Sequence, residues 1–366
     1  MRFRTKDGKQ VTALHLACSQ SHAAIVKTLL EASFSPYDTD KAGLTALHVA
    51  AKSGSEEIVR LLLGADEKSA DMGCDVLSGI ESTPLHYAAQ CGWTGVVLAL
   101  LDAKADIHKG NRYGWRAVHY AASYGSPEVL KILLERRADI ESRTLLRGPG
   151  DTPLICAARH SRVRCAEVLL REGADISKKN GDGSTALVHA AFCGAAACLE
   201  LLISNGADLD TPDTDKSTAL MQAVLCGKFE AARLLVASRA QLDLEDKERN
   251  TALIYAAQQG SFTSNSGIIT LLVAAGSTIS IVNSANRTAY DYGSVQNTKS
   301  AIDRGKIEAE LSKSRIPRLE MEMEKILQAY GIINPLDRIV VGYWDSFWHY
   351  FMNFENQRRY PRLVKM

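Results

Sequence analysis

Apolar residues recur along most of the chain in two alternating helical spacings, separated by polar stretches. The first spacing opens on a short pattern that appears as Thr12-Ala13-Leu14-His15-Leu16-Ala17 and again as Thr45-Ala46-Leu47-His48-Val49-Ala50-Ala51. It returns as Thr83-Pro84-Leu85-His86-Tyr87-Ala88-Ala89 and as Arg116-Ala117-Val118-His119-Tyr120-Ala121-Ala122. Later copies start at Thr152, Thr185, Thr218 and Thr251, and a degenerate ninth starts at Thr288. The successive spacings are 33, 38, 33, 36, 33, 33, 33 and 37 residues, so a period of 33 takes three short insertions. Each opening threonine is placed to cap a helix through its side-chain oxygen. Pro84 and Pro153 follow where a first helical turn needs no donor. Gly54, Gly92, Gly125, Gly194, Gly227 and Gly260 end that short helix at one offset. A second helix follows, with apolar residues three and four apart, as in Ile58, Leu61 and Leu62 or Val129, Ile132 and Leu133. Segments such as Gly173-Ala174-Asp175-Ile176 then lead into a polar finger.

The period, the Thr-Pro-Leu-His opening and the Gly-Ala-Asp exit together resemble the ankyrin-repeat family. The resemblance covers residues 1–304, leaving 305–366 as a helical tail. It implies an all-α solenoid of helix pairs with hairpin-like fingers, in which stacked repeats share one core. Departures are local. Ile155, Val188, Met221 and Ile254 replace the histidine, and Ser161 replaces the glycine of the fifth copy. Insertions precede Thr83 and Thr152, enlarging fingers; a third, Ser261 to Gly267, is expected to enlarge the bend between helices. The first copy lacks an obvious polar cap, so either its helix pair caps itself or Met1 is not the natural start.

An array of this kind carries function on its concave side, built from finger tips and the exposed ends of first helices. Mapped residue by residue, the fingers supply Ile80, Arg112, Tyr113, Trp115 and Arg147. The first helices supply Gln90, Cys91, Ser123, Tyr124, Arg159, His160 and Phe192. Aromatic residues and arginine dominate interface energetics, so this cluster is the expected partner-binding site. The plain alternative is that Trp115 and Tyr124 pack between fingers.

The charge balance narrows the partner. The chain carries 43 basic and 42 acidic residues, and residues 1–295 carry 31 and 33. Neither the chain nor its repeat array supplies the concentrated positive charge that nucleic acid requires, so a protein partner is expected. No eighteen-residue apolar run exists, which argues against a membrane span. Met1 to Gln10 is polar and no cysteines pair at two-residue spacing, so a reduced, cytoplasmic protein is expected.

Chemistry-bearing residues have plain readings. His15, His48, His86 and His119 share one repeat offset, which favours backbone hydrogen bonding over a metal ladder. Cys156, His160 and Cys165 lack a fourth ligand other than His189. Asp345 and His349 have no nucleophile or oxyanion site beside them. No catalytic, cofactor-binding or metal residues are assigned, and no enzyme is expected.

The tail holds the remaining oddity, eight of 24 aromatic residues between Tyr343 and Tyr360. Asn334 and Pro335 open a helix expected near residues 335–356. One face of it carries Val340, Trp344, Phe347, Trp348 and Phe351. That face either caps the last repeat or docks a second partner, as in a subunit of a larger assembly. A scaffold is therefore the leading functional expectation. The alternative is a substrate adaptor of a ubiquitin ligase, because Ile316-Pro317, Ile326-Leu327 and Asn334-Pro335-Leu336-Asp337 faintly resemble an F-box.

Overall fold

The computed structural model describes residues 2–4, 10–65, 81–145, 150–259, 263–292, 299–307 and 309. The compact unit described below is Met1–Ile307; of a second unit, Glu308–Met366, only Ala309 is described.

Each of the first eight repeat starts is a helix start. The pairs are α1 (Ala13–Ser19) and α2 (Ala23–Glu31), α3 (Ala46–Ser53) and α4 (Glu56–Gly64), α5 (Pro84–Cys91) and α6 (Thr94–Asp102), and α7 (Ala117–Tyr124) and α8 (Pro127–Glu135). They continue as α9 (Pro153–Arg159) and α10 (Val163–Arg171), α11 (Ala186–Cys193) and α12 (Ala196–Ser204), α13 (Ala219–Leu225) and α14 (Phe229–Ala237), and α15 (Ala252–Gln258) and α16 (Thr263–Ala274). First helices pack on first helices and second on second, with contacts from one repeat to the next. Paired alanines such as Ala50 and Ala51, or Ala121 and Ala122, are fully buried, because only small side chains let first helices approach this closely. Leu85, Leu100, Leu133 and Leu169 fill the space between the two layers, each contributing about 2 kcal/mol by leaving water.

The caps differ between early and late repeats. Thr152, Thr185, Thr218 and Thr251 accept the backbone N–H three residues on. In three of the histidine repeats the ring closes the turn instead. His48 Nδ1 accepts the N–H of Thr45 at 3.1 Å, His86 that of Thr83 at 2.9 Å, and His119 that of Arg116 at 3.1 Å. That leaves Nε2 protonated, and it donates to a carbonyl of the following finger: Ser82 at 3.0 Å, Lys109 at 2.9 Å and Ser142 at 3.0 Å. His15 reaches Leu44 in the same way at 2.8 Å. The histidines are thus structural, as their shared offset suggests, and they tie each repeat to the next.

Gly54, Gly92, Gly125 and Gly194 end first helices in the left-handed conformation. Ser21 and Ser161 adopt it too, at φ 57° and 56°.

The fingers rest on a feature the repeat pattern alone did not single out. Five residues before the cap stands Asp40, Asn111, Asn180, Asp213, Asp246 or Asn283. Its Oδ1 accepts two backbone N–H groups of its own finger; for Asn111 these come from Tyr113 at 2.9 Å and Trp115 at 3.0 Å. Its other side-chain atom often reaches the first helix: Asn111 Nδ2 donates to the Tyr120 hydroxyl at 3.0 Å, and the Tyr255 hydroxyl donates to Asp246. Replacing Asn111 with alanine strands two N–H groups and removes the nearer partner of the Tyr120 phenol. We expect a loss of about 2 kcal/mol, read as a lower urea midpoint.

The first repeat begins with a short antiparallel pair, β1 (Arg2–Arg4) and β2 (Gln10–Thr12), a hairpin of the kind the resemblance implies. Two expectations are corrected. The insertion in the eighth repeat lengthens the second helix rather than only the bend: α16 has 12 residues where α14 has 9. The ninth copy opens on a turn instead of a helix. Thr288 donates its backbone N–H and hydroxyl to Asp291 at 2.8 and 2.7 Å, and residues 299–307 are helical.

Candidate protein-binding face

The open side of a first helix is set by its period. The second, fifth and sixth residues after the cap point into the core, so the fourth, seventh and eighth share the opposite side. The side chains bear this out. Arg159, seventh in its repeat, reaches His189, fourth in the next, at 3.4 Å.

At the third and fourth repeats this side is aromatic. The Trp115 ring lies 5.3 Å from Tyr120, and Tyr120 stacks on Tyr124 at 6.3 Å and 21°. His86 joins Tyr120 at 5.3 Å and His48 meets Tyr87 edge-on at 5.8 Å. Outward from this layer, Tyr113 is 44% exposed, Tyr124 50% and Phe192 50%. Leu145 is 69% exposed, on the finger that hydrogen-bonds Tyr113: its N–H meets the Tyr113 carbonyl at 2.7 Å. The same bond joins later fingers, Thr214 to Asp182 and Lys247 to Asp215. The extra residues of the fifth finger therefore follow Leu145.

The residues expected at the interface fall into distinct groups. Tyr113, Tyr124, His160 and Phe192 are exposed. Arg112 is exposed with Glu81 4.0 Å away. Arg159 is exposed but holds Asp151 at 2.7 Å, so its charge is already partnered. Trp115 is half-buried against Tyr120 and His119, nearer the packing alternative. Ser123 is buried, a correction: the Arg162 guanidinium lies over the end of its helix, donating to the Ser123 carbonyl at 2.9 Å. Ile80 and Arg147 lie outside the described residues, as do Val340, Trp344, Phe347, Trp348 and Phe351. Tyr87 and Tyr120 were missed, although their place after each histidine was visible in the repeat.

Cys156 and Cys165 are both buried, and burial pushes each thiol up to about 12. A thiol held protonated is a poor metal ligand. His189 Nε2 is taken up by Asn180 at 3.1 Å and by Arg159. Among the described residues no three of His, Cys, Asp and Glu gather to hold a metal ion. Asp345 and His349 lie outside them. No described helix is long and apolar enough to cross a membrane.

Comparison with known proteins agrees with this architecture. A family model for ankyrin repeats in three copies matches residues 2–76, 67–144, 142–213 and 206–283. The ankyrin-repeat domain of human ASB11 is similar in fold, with 24% identity over 63% of this chain and 99% of that one, at a TM-score of 0.55. The ankyrin-repeat domain of Bcl-3, a member of the IkappaB family, shares 28% identity over 58% of this chain and 94% of its own, at a TM-score of 0.50. No curated protein sequence matches. Repeats of this kind generally mediate protein–protein interaction and are typically non-catalytic. With its helix pairs, fingers and matched residues in agreement, the chain belongs to the ankyrin-repeat family.

Proposed function

We propose that this protein is a non-catalytic scaffold or assembly subunit whose concave face binds a protein partner at the third to sixth repeats. One observation carries the reading: Tyr113, Tyr124, Phe192 and Leu145 are 44 to 69% exposed around a layer of stacked rings. Large aromatics left in water beside a rigid, preformed surface are the residue types that anchor interfaces. The tail stripe from Val340 to Phe351 is the second attachment or capping element of the same reading. A cytoplasmic setting rests on cysteine usage alone. No described residue bears on the ligase-adaptor alternative, because its box-like stretch, 316–337, lies outside them.

Trp115 and Arg159 are poor test positions, since both have structural partners. The combined variant Tyr113→Ala, Tyr124→Ala and Phe192→Ala removes side chains that contribute little to the core. We expect crosslinking mass spectrometry of the native complex to lose its links to these repeats, with unchanged helical circular dichroism. Links that persist at wild-type yield sink the assignment.

A further inference from the structure

The floor of the face consists of the fourth, seventh and eighth residues of each first helix. Across the first eight repeats not one of these positions holds aspartate or glutamate, in a chain with 42 acids among 366 residues. Two hold cations, Lys52 and Arg159, and both are exposed, as is His160. Composition does not impose this, because residues 1–295 carry a net charge of −2. The acids stand elsewhere. Glu56, Glu57, Glu128 and Glu230 occupy the first turns of second helices, where the helix dipole favours them. Asp182, Asp215 and Glu248 occupy finger tips.

Acids that border the floor are committed, as Asp246 is to the Tyr255 hydroxyl in the eighth repeat. Asp151 is half-buried, pairs with Arg159 at 2.7 Å and accepts the Asn180 amide at 2.9 Å. Neighbouring cations act on the floor's thiols. Burial raises Cys91 and Cys193, but Lys52 pulls the first back, and Arg159 and Lys228 the second.

A surface that keeps Tyr124 and Phe192 in water and holds cations but no acids complements one class of partner. We propose that the floor of the second to sixth repeats receives an acidic segment of a protein partner. Apolar side chains of that segment seat on Tyr124 and Phe192, and its carboxylates face the exposed Lys52 and accept from the exposed His160. The inference rests on the concave-face reading and names what that face selects.

Two fluorescein-labelled peptides test it on the full chain by anisotropy. They share leucine and phenylalanine positions; one carries glutamates between them and the other lysines. The glutamate peptide is expected to bind about tenfold more tightly at low salt, with the difference shrinking as salt rises. Lys52→Glu and Lys52→Gln, made separately, each reduce that preference. Lys52→Glu keeps the test independent of the Asp151 pair. Tyr124→Ala with Phe192→Ala weakens both peptides. Equal binding of the two peptides, abolished by the aromatic pair, overturns the acidic preference and leaves the concave face as a binding site. Binding indifferent to every one of these substitutions overturns both, and absence of binding by the glutamate peptide overturns the inference.

Discussion

Gly54→Ser is expected to lower the stability of the second and third repeats by about 3 kcal/mol, and removing the Trp93 ring as well is expected to return part of it. Gly54 sits at φ 86°, where any side chain is strained by about 1 kcal/mol. That alone is a modest effect, because Ser21 and Ser161 hold the equivalent place in their repeats at φ 57° and 56°. The neighbour makes the difference. A Cβ on Gly54 would lie 2.5 Å from Trp93 Cε2, far inside contact distance. Trp93 is the tenth residue of the next repeat, and its indole N–H donates to the Lys52 carbonyl at 3.1 Å, so the ring is pinned over the end of α3. At the equivalent place beyond Ser21 and Ser161 the next repeat has Ser55 and Ala195. Long side chains cover glycines again at Gly125, under Arg162, and at Gly194, under Lys228. Gly92 lies under Ser126, but the two serines stand only where the covering residue is small; a long cover demands glycine, and Gly54→Ser breaks that packing rule. In a urea-denaturation cycle, Gly54→Ser combined with Trp93→Ser should cost at least about 1 kcal/mol less than the sum of the single changes. Strict additivity would show that the ring does not press on this position.

That rule also marks what the linear pattern could reveal. Caps, the alanine pairs and the helix-ending glycines depend on neighbours a few residues away, so a 33-residue period displays them directly. The link from His86 Nε2 to the Lys109 carbonyl, and the seat of Trp93 over Gly54, join residues 23 and 39 apart. Their partners are fixed only once repeats are stacked in register. The finger residue Asn111 illustrates the intermediate case. Its recurrence five residues before the cap was visible as spacing, but its two N–H acceptances and its bond to Tyr120 needed the folded finger. The interface showed the same division. Tyr113, Tyr124 and Phe192 were placed by offset alone and are exposed, whereas Trp115 and Arg159 have partners that offset does not show. Ser123 failed because Arg162 of the following repeat covers the end of its helix.

Acidification is expected to open the third and fourth repeats ahead of the seventh and eighth. Burial pushes His86 and His119 down to about 4, since each ring sits between its own cap and the next finger. In the unfolded chain both titrate near 6.5. Above that value neither state binds the protons and the stability is complete. As pH falls from 6.5 toward 4 the unfolded chain takes up protons that the fold refuses, so stability drains away across that window. At pH 5 the loss comes to about 2 kcal/mol for each histidine. A protonated ring would also place a donor at Nδ1 against the backbone N–H of Thr83 or Arg116, which it now accepts. Repeat arrays need not unfold as one unit, so amide hydrogen exchange is the appropriate measurement. Protection in α5 and α7 should fall between pH 7 and pH 5, after correction for the intrinsic rate, by more than in α13 and α15, whose repeats carry Met221 and Ile254 at the same offset. The variant His86→Ile with His119→Val borrows the array's own alternatives. It should lose protection at neutral pH, because the Lys109 and Ser142 carbonyls lose their donors, yet respond much less to acid. A variant as acid-sensitive as the parent would assign the opening to groups other than these two, and His86 and His119 would then be ties between repeats without a role in its pH dependence.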